Sequence, residues 1–195
     1  MPDLKAENIK RVVVRGTNWV GDAVMTVPAL RELRQLLPDA HLTLATRPWA
    51  KELFADAEFV DDLLISEKAG LGSLVSQVAT WRKRRFDLAV VFPNAFEAAL
   101  IPFLARVPNR VGYATDGRAV LLTNSLALPE WRSSKHEVFY YLNIIAELER
   151  LLYGKQTVME KQPDVFLNVS ETRQTEGLEL LHALGIRNNR PVVAL

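Results

Sequence analysis

"RVVVRGTNWVGDAVMTVPALRELRQLLP", residues 11–38, runs from an apolar triplet through a glycine-bearing turn into a helical pattern. The VVV at 12–14 has no polar alternation, which suits a strand covered on both faces of a parallel sheet. Beyond the turn, Val24, Val27, Leu30, Leu33 and Leu37 recur at steps of three and four, with Arg31, Glu32, Arg34 and Gln35 on the other side. That spacing predicts a helix laid against a core. Its start has two readings. With Asp22 as N-cap, Pro28 bends the helix; with Thr26 as N-cap, Pro28 falls in the tolerant first turn. Asp22 is the favoured cap.

The same alternation of short apolar run and helical segment continues along the chain. HLTLAT (41–46), FVDDLLI (59–65), DLAVVF (87–92) and RVGYA (110–114) read as strands. Helices are predicted at 71–84, at 95–105 with Pro102 interrupting, and at 135–153. The last opens with Ser134 and Glu137 at capping-box spacing and carries a buried stripe of Val138, Tyr141, Leu142, Ile145, Leu148 and Leu152. Strands alternating with helices give an α/β class with a mostly parallel sheet. After a polar loop at 154–163, DVFLNV (164–169) is expected to be a further strand, and Thr172 to Leu184 a helix stopped by Gly185. PVVAL (191–195) looks like the opening of a new buried strand whose partners are missing. The expectation is a first domain over 1–185 and the first strand of a second over 186–195, the chain being the first half of something larger.

Composition narrows the function classes. The 195 residues carry 24 Lys and Arg against 23 Asp and Glu, a formal charge of +1, so nothing calls for nucleic acid or a strongly anionic surface. There is no cysteine, which excludes disulfides and thiolate metal sites, and His41, His136 and His182 are scattered. The charged N-terminus, MPDLKAENIKR, does not read as a signal peptide. LAVVF and AALIPFLA fall short of the ~18 apolar residues of a membrane span. A cytoplasmic setting with at most peripheral membrane contact is expected, with no cofactor or metal.

In open parallel sheets ligands bind beyond the carboxyl ends of the strands, where the strand order reverses. The loops at that rim are GTNWVGD (16–22), RPW (47–49), PNAFE (93–97) and TDGR (115–118). In a doubly wound order the first and fourth strands adjoin, bringing Asn18, Asp22 and Asn94 to the middle of the crevice. Gly16 and Gly21 have P-loop spacing, but Asp22 and Ala23 replace the Lys and hydroxyl residue, so the charge is wrong for a phosphate. The dinucleotide fingerprint G-x-G-x-x-G is absent. Asp22 has two compatible jobs, N-capping worth about 1 kcal/mol or proton acceptance.

Trp19 is a stacking platform for a sugar ring or else core packing beneath its loop. Arg47 and Trp49 contact an anionic ligand or merely start a helix. Asn94 and the DGR at 116–118, with Arg118, are hydrogen-bonding groups of the same rim or else simply turn formers, and Asp116-Gly117 reads as a turn. Lys135 beside His136 offers an anion site, against a plain surface histidine. RKRR (82–85) is the positively charged end of a helix, and Asp61-Asp62 lacks the second acidic cluster of a metal site.

Taken in order, RVVVRGTNWVGDAVMTVPALRELRQLLPDAHLTLATRPW, VDDLL, FDLAVVFPNAFEAALIPFLARVPNRVGYATDGRAVLL and KHEVFYYL resemble the N-terminal half of the ADP-heptose:lipopolysaccharide heptosyltransferases, glycosyltransferase family 9. The motifs are most specific at WVGDAVMTVPAL and PNAFEAAL; relatives often read PNSF, where this chain has Ala95. The resemblance implies two facing Rossmann-like domains, the GT-B arrangement, of which the first holds the inner-core lipopolysaccharide acceptor and the second holds ADP-heptose. It also implies inverting transfer without a catalytic metal, with Asp22 at the position of the candidate base. Asn18, Trp19, Arg47, Trp49, Asn94, Arg118, Lys135 and His136 are the candidates for the acceptor, and the donor site belongs to the second domain. The alternative is a non-catalytic α/β ligand-binding module or inactive fragment in which Asp22 only caps a helix.

Overall fold

The computed structural model describes residues 4–66 and 70–186. Six parallel strands form one sheet: β1 (Arg11–Arg15), β2 (His41–Thr46), β3 (Asp62–Ile65), β4 (Leu88–Val91), β5 (Asn109–Tyr113) and β6 (Asn124–Leu126). Their order is β3-β2-β1-β4-β5-β6, so the direction of winding reverses between β1 and β4. The helices are α1 (Val20–Met25), α2 (Val27–Leu36), α3 (Ala50–Leu53), α4 (Leu71–Arg84), α5 (Phe96–Leu104), α6 (Glu137–Tyr153) and α7 (Glu171–Ala183). This is the expected α/β, Rossmann-like sheet with helices on both faces.

Strand geometry sends alternate side chains to opposite faces, and β1 shows both destinations. Val12 and Val14 join the larger core with Leu30, Leu33, Ile144 and Ile145, on the side of α2 and α6. Val13 faces the other way, into a cluster with Trp81 of α4, Ala89 and Ile101 of α5. Full burial of each such aliphatic side chain contributes about 1.5–3 kcal/mol, so covering the central strand twice makes it the anchor of the domain.

Three expectations change. The helix after β1 is broken at Thr26, with Pro28 in the first turn of α2. Asp22 is not a cap: Trp19 is the N-cap of α1 and Asp22 the third residue inside it, whereas Thr26 holds the N-cap position of α2 as the second reading had it, although its hydroxyl donates back to Ala23 O at 2.7 Å and makes no capping bond. Similarly, His136 caps α6 through Nδ1, which accepts from Val138 N at 3.3 Å, while Ser134 Oγ donates to Trp131 O and Glu137 binds Arg132. Finally, 164–169 joins no sheet. Its carbonyl at Phe166 accepts from Arg31 of α2, so the segment lies over a helix, where no strand edge is available to pair with it. The sixth strand is instead the short, polar Asn124–Leu126, whose three residues pair with β5 and carry no apolar alternation to announce them.

Helix α4 ends as its charges predict, with Arg85 in the left-handed cap and Arg84 paired to Asp62. Asp61 binds Arg34 and the Leu42 amide, so the two adjacent aspartates are separately engaged. Helix α7 forms, but none of its residues is buried. The strand expected at PVVAL lies outside the described residues.

Candidate active-site groove

The groove opens where β1 and β4 diverge. β1 ends at Arg15, and the chain turns at Gly16, whose N–H donates to Ala45 O at 2.8 Å. A Cβ there would stand 3.2 Å from Leu44 Cδ1 and 3.3 Å from Ala45 O, so glycine lets the turn hug β2. Helix α1 then starts at Val20, with the indole of Trp19 left 75 % exposed. The opposite wall follows β4, where the Pro93–Ala95 loop leads into α5. Thr17, Asn18, Trp19, Asp22, Phe92, Pro93, Asn94, Ala95, Glu137 and Tyr141 line a volume of about 270 Å³.

Asp22 is half-buried, and among the described residues its carboxylate makes no hydrogen bond or ion pair. It sits in the first turn of α1, where the free N–H groups favour negative charge. Its orientation toward an open groove, rather than under packed side chains, keeps the carboxylate accessible to a ligand.

Asn94 is held from behind. Its Oδ1 accepts from Tyr140 Oη at 2.7 Å, and its carbonyl accepts from Thr115 Oγ1 at 3.0 Å. With the oxygen engaged, Nδ2 is the group Asn94 has free for a ligand. Tyr140 is itself fixed by stacking on Tyr113, with ring centroids 4.4 Å apart, and by the Arg132 guanidinium 4.1 Å from its ring. Arg132 in turn forms a paired contact with Glu137, at 2.9 and 2.7 Å. That contact offsets the second carboxylate of the groove and leaves Asp22 the unpaired one. Burial, followed by the nearby Asp22 charge, pushes the Tyr141 hydroxyl well above the ordinary tyrosine range, so it stays a neutral donor.

The other expected site residues divide. Arg47 Nε donates to Asn18 Oδ1 at 3.1 Å, which ties the β2 loop to the groove wall. Trp49 is the N-cap of α3 and packs partly buried against the main core, the structural alternative for that residue. Arg118 is completely buried: it donates to Tyr113 O at 2.7 Å and to Pro93 O, bracing the loop that carries Asn94. Asp116 and Gly117 before it both adopt positive φ, as a turn requires. Lys135 lies over the rings of Trp131 and Phe139, at 5.1 and 5.4 Å, and His136 is spent on its cap. None of Arg47, Trp49, Arg118, Lys135 and His136 lines the groove itself. Glu137 and Tyr141 do, one helical turn apart on α6; the i, i+4 spacing puts them on one face, but only the docking of α6 against α1 turns that face to Asp22.

No family model matches the chain. Lipopolysaccharide heptosyltransferase 2 of Salmonella typhimurium is 30 % identical over 128 residues, which are 60 % of this chain and 35 % of that protein. Lipooligosaccharide heptosyltransferase 2 of Haemophilus influenzae is 24 % identical over 194 residues, 93 % of this chain and 52 % of that one. The chain thus spans between a third and a half of the length of these curated relatives. Among solved structures, the ADP-heptose lps heptosyltransferase II of E. coli superposes with a TM-score of 0.73 at 24 % identity, covering 93 % of this chain and 52 % of that chain. A family 9 glycosyltransferase from Veillonella parvula gives 0.76 at 19 %, covering 92 and 51 %. These superpositions show that the fold is shared. The chain is thus similar in sequence to part of the curated heptosyltransferase 2 proteins and shares its fold with about half of each solved glycosyltransferase.

Proposed function

We propose that this chain is the acceptor-binding domain of an inverting glycosyltransferase that moves heptose from ADP-heptose to the inner core of lipopolysaccharide. Asp22 is the base that takes the proton of the attacking sugar hydroxyl. The observation carrying this reading is a half-buried carboxylate without a partner among the described residues, facing an open groove at the switch between β1 and β4 beside an exposed indole. An inverting displacement requires a proton acceptor on the acceptor side, opposite the departing diphosphate, and Asp22 is the groove carboxylate not already neutralised by a guanidinium. Trp19 offers its face to the apolar side of a sugar ring, and Asn94 Nδ2 and Tyr141 Oη offer donors to ring hydroxyls.

Residues 1–185 form this domain, and ADP-heptose belongs to the portion of the relatives that the chain does not span. Arg47 meets an anionic substituent of the acceptor, whereas Arg118 acts through the Asn94 loop. Among the described residues no helix is long and apolar enough to cross a membrane. We place the enzyme at the inner face of the bacterial inner membrane, where a lipid-anchored acceptor is reached from its sugar end.

Asp22→Asn in the full-length enzyme is the test. Heptose transfer should fall by about 10²–10⁴-fold, the usual contribution of a positioned base, with the circular-dichroism spectrum unchanged. Activity within a factor of a few of wild type would remove Asp22 from the role. ADP-heptose titrated into the 195-residue chain should show no saturable binding.

A further inference from the structure

Arg15 ends β1 at the same rim, but its side chain follows Val13 to the α4 and α5 side of the sheet, away from the face of Val12 and Val14. Only 5 % of the residue is exposed, and Nε is sealed from solvent without a hydrogen-bond partner. Among the described residues the guanidinium makes no hydrogen bond or ion pair. Its terminal nitrogens, equally unpartnered, keep some contact with solvent. A buried cation without an acceptor is among the costliest arrangements a fold can keep.

The surroundings sharpen the anomaly. Burial lowers the proton affinity of Arg15, the charge of Arg47 lowers it further, and Glu97 in the first turn of α5 acts the other way, forming no ion pair among the described residues. Helix α5 spans nine residues from Phe96, and its N-cap, Ala95, supplies no side-chain cap, so its first N–H groups have no side-chain acceptor. Arg47 uses Nε for Asn18 and keeps its terminal N–H groups free of described partners. Two guanidinium groups that repel one another, one without an acceptor among the described residues and the other bonded only to a neutral amide oxygen, are the arrangement an oxyanion resolves.

We propose that Arg15 and Arg47, with the start of α5, form an oxyanion subsite for a phosphate or carboxylate group, adjoining the saccharide groove through the Arg47–Asn18 contact. As a place for a charged substituent of the acceptor it rests on the function proposed above; its capture of a free anion does not.

Calorimetric titration of the 195-residue chain with inorganic phosphate, with glucuronate and with glucose separates the cases. Saturable binding of either anion, and none of glucose, is expected; phosphate alone points to a phosphorylated sugar and glucuronate alone to a sugar acid. Arg47→Gln should weaken that binding by about tenfold, the loss of one charge-assisted partner. Arg15→Met should abolish it and raise the thermal midpoint in anion-free buffer, because the uncompensated charge is gone. A wild-type chain that binds neither anion, or an Arg47→Gln chain that binds as wild type does, would overturn the proposal. So would a midpoint lowered by Arg15→Met, up to failure to fold, which would make Arg15 a structural residue.

Discussion

Gly112 shows how closely single atoms of this sheet are matched. It lies in β5 opposite Val91, and a Cβ there would stand 2.9 Å from Val91 O and 3.3 Å from Val91 Cβ. The obstacle is backbone, which cannot rotate aside, so Gly112→Ala should destabilise the chain by about 1–3 kcal/mol, seen as a lower urea midpoint. The same scale governs the groove. Asp22 and Glu137 are carboxylates lining one space, but Arg132 pairs with Glu137 and, among the described residues, nothing pairs with Asp22. Their chemical difference therefore lies in their neighbours. Sequence marked Asp22 through the reversed charge in the GTNWVGD turn; it gave no comparable mark to Glu137, whose capping-box spacing suggested another role.

At the scale of elements, helix α6 depends on a buried acid. Glu149 is 1 % exposed and accepts from Thr157 N and Oγ1, both at 2.6 Å, and from Val158 N at 3.1 Å. Burial alone would favour the neutral acid, but the Thr157 hydroxyl and the two amides outweigh it and hold the carboxyl below the ordinary glutamate value. A group with a depressed folded pKa contributes stability that is present above its unfolded pKa and is lost as pH falls through the folded one. Glu149→Gln should therefore cost about 1–3 kcal/mol at neutral pH and progressively less below the carboxylate range. Urea unfolding at the two pH values checks this, and an unchanged gap would show that the acid form is equally well held. The pattern on α6 predicted its buried stripe from periodicity, yet its cap was misplaced by two residues, because Ser134 and His136 both suit a cap and the preceding turn at Glu130–Ser133 decides between them.

Among the described residues one sheet carries a larger core and two smaller apolar clusters, and α7 stands outside all three. It is tied by Arg173 to Glu52 at 2.6 Å and to Asp56 at 3.4 Å, with Ser170 N donating to Asp56 at 3.0 Å. Exposed ion pairs contribute about 0–1 kcal/mol. Deleting residues 171–195 should accordingly leave the unfolding free energy within about 1 kcal/mol of the starting chain, measured by urea denaturation; a larger loss would mean the helix is integral to the domain. By itself the sequence determined the parallel α/β class, five of the six strands and the rim on which the loops gather, because apolar runs and helical periodicity are local properties that survive without knowledge of the partner. Tertiary structure alone decided that residues 164–169 lie on a helix rather than in the sheet, that Asn124–Leu126 is a strand, that Arg118 turns inward to brace a loop, and that Arg15 is buried without an acceptor. Those outcomes depend on which surfaces meet across the sheet, and residue spacing along the chain does not encode that distance.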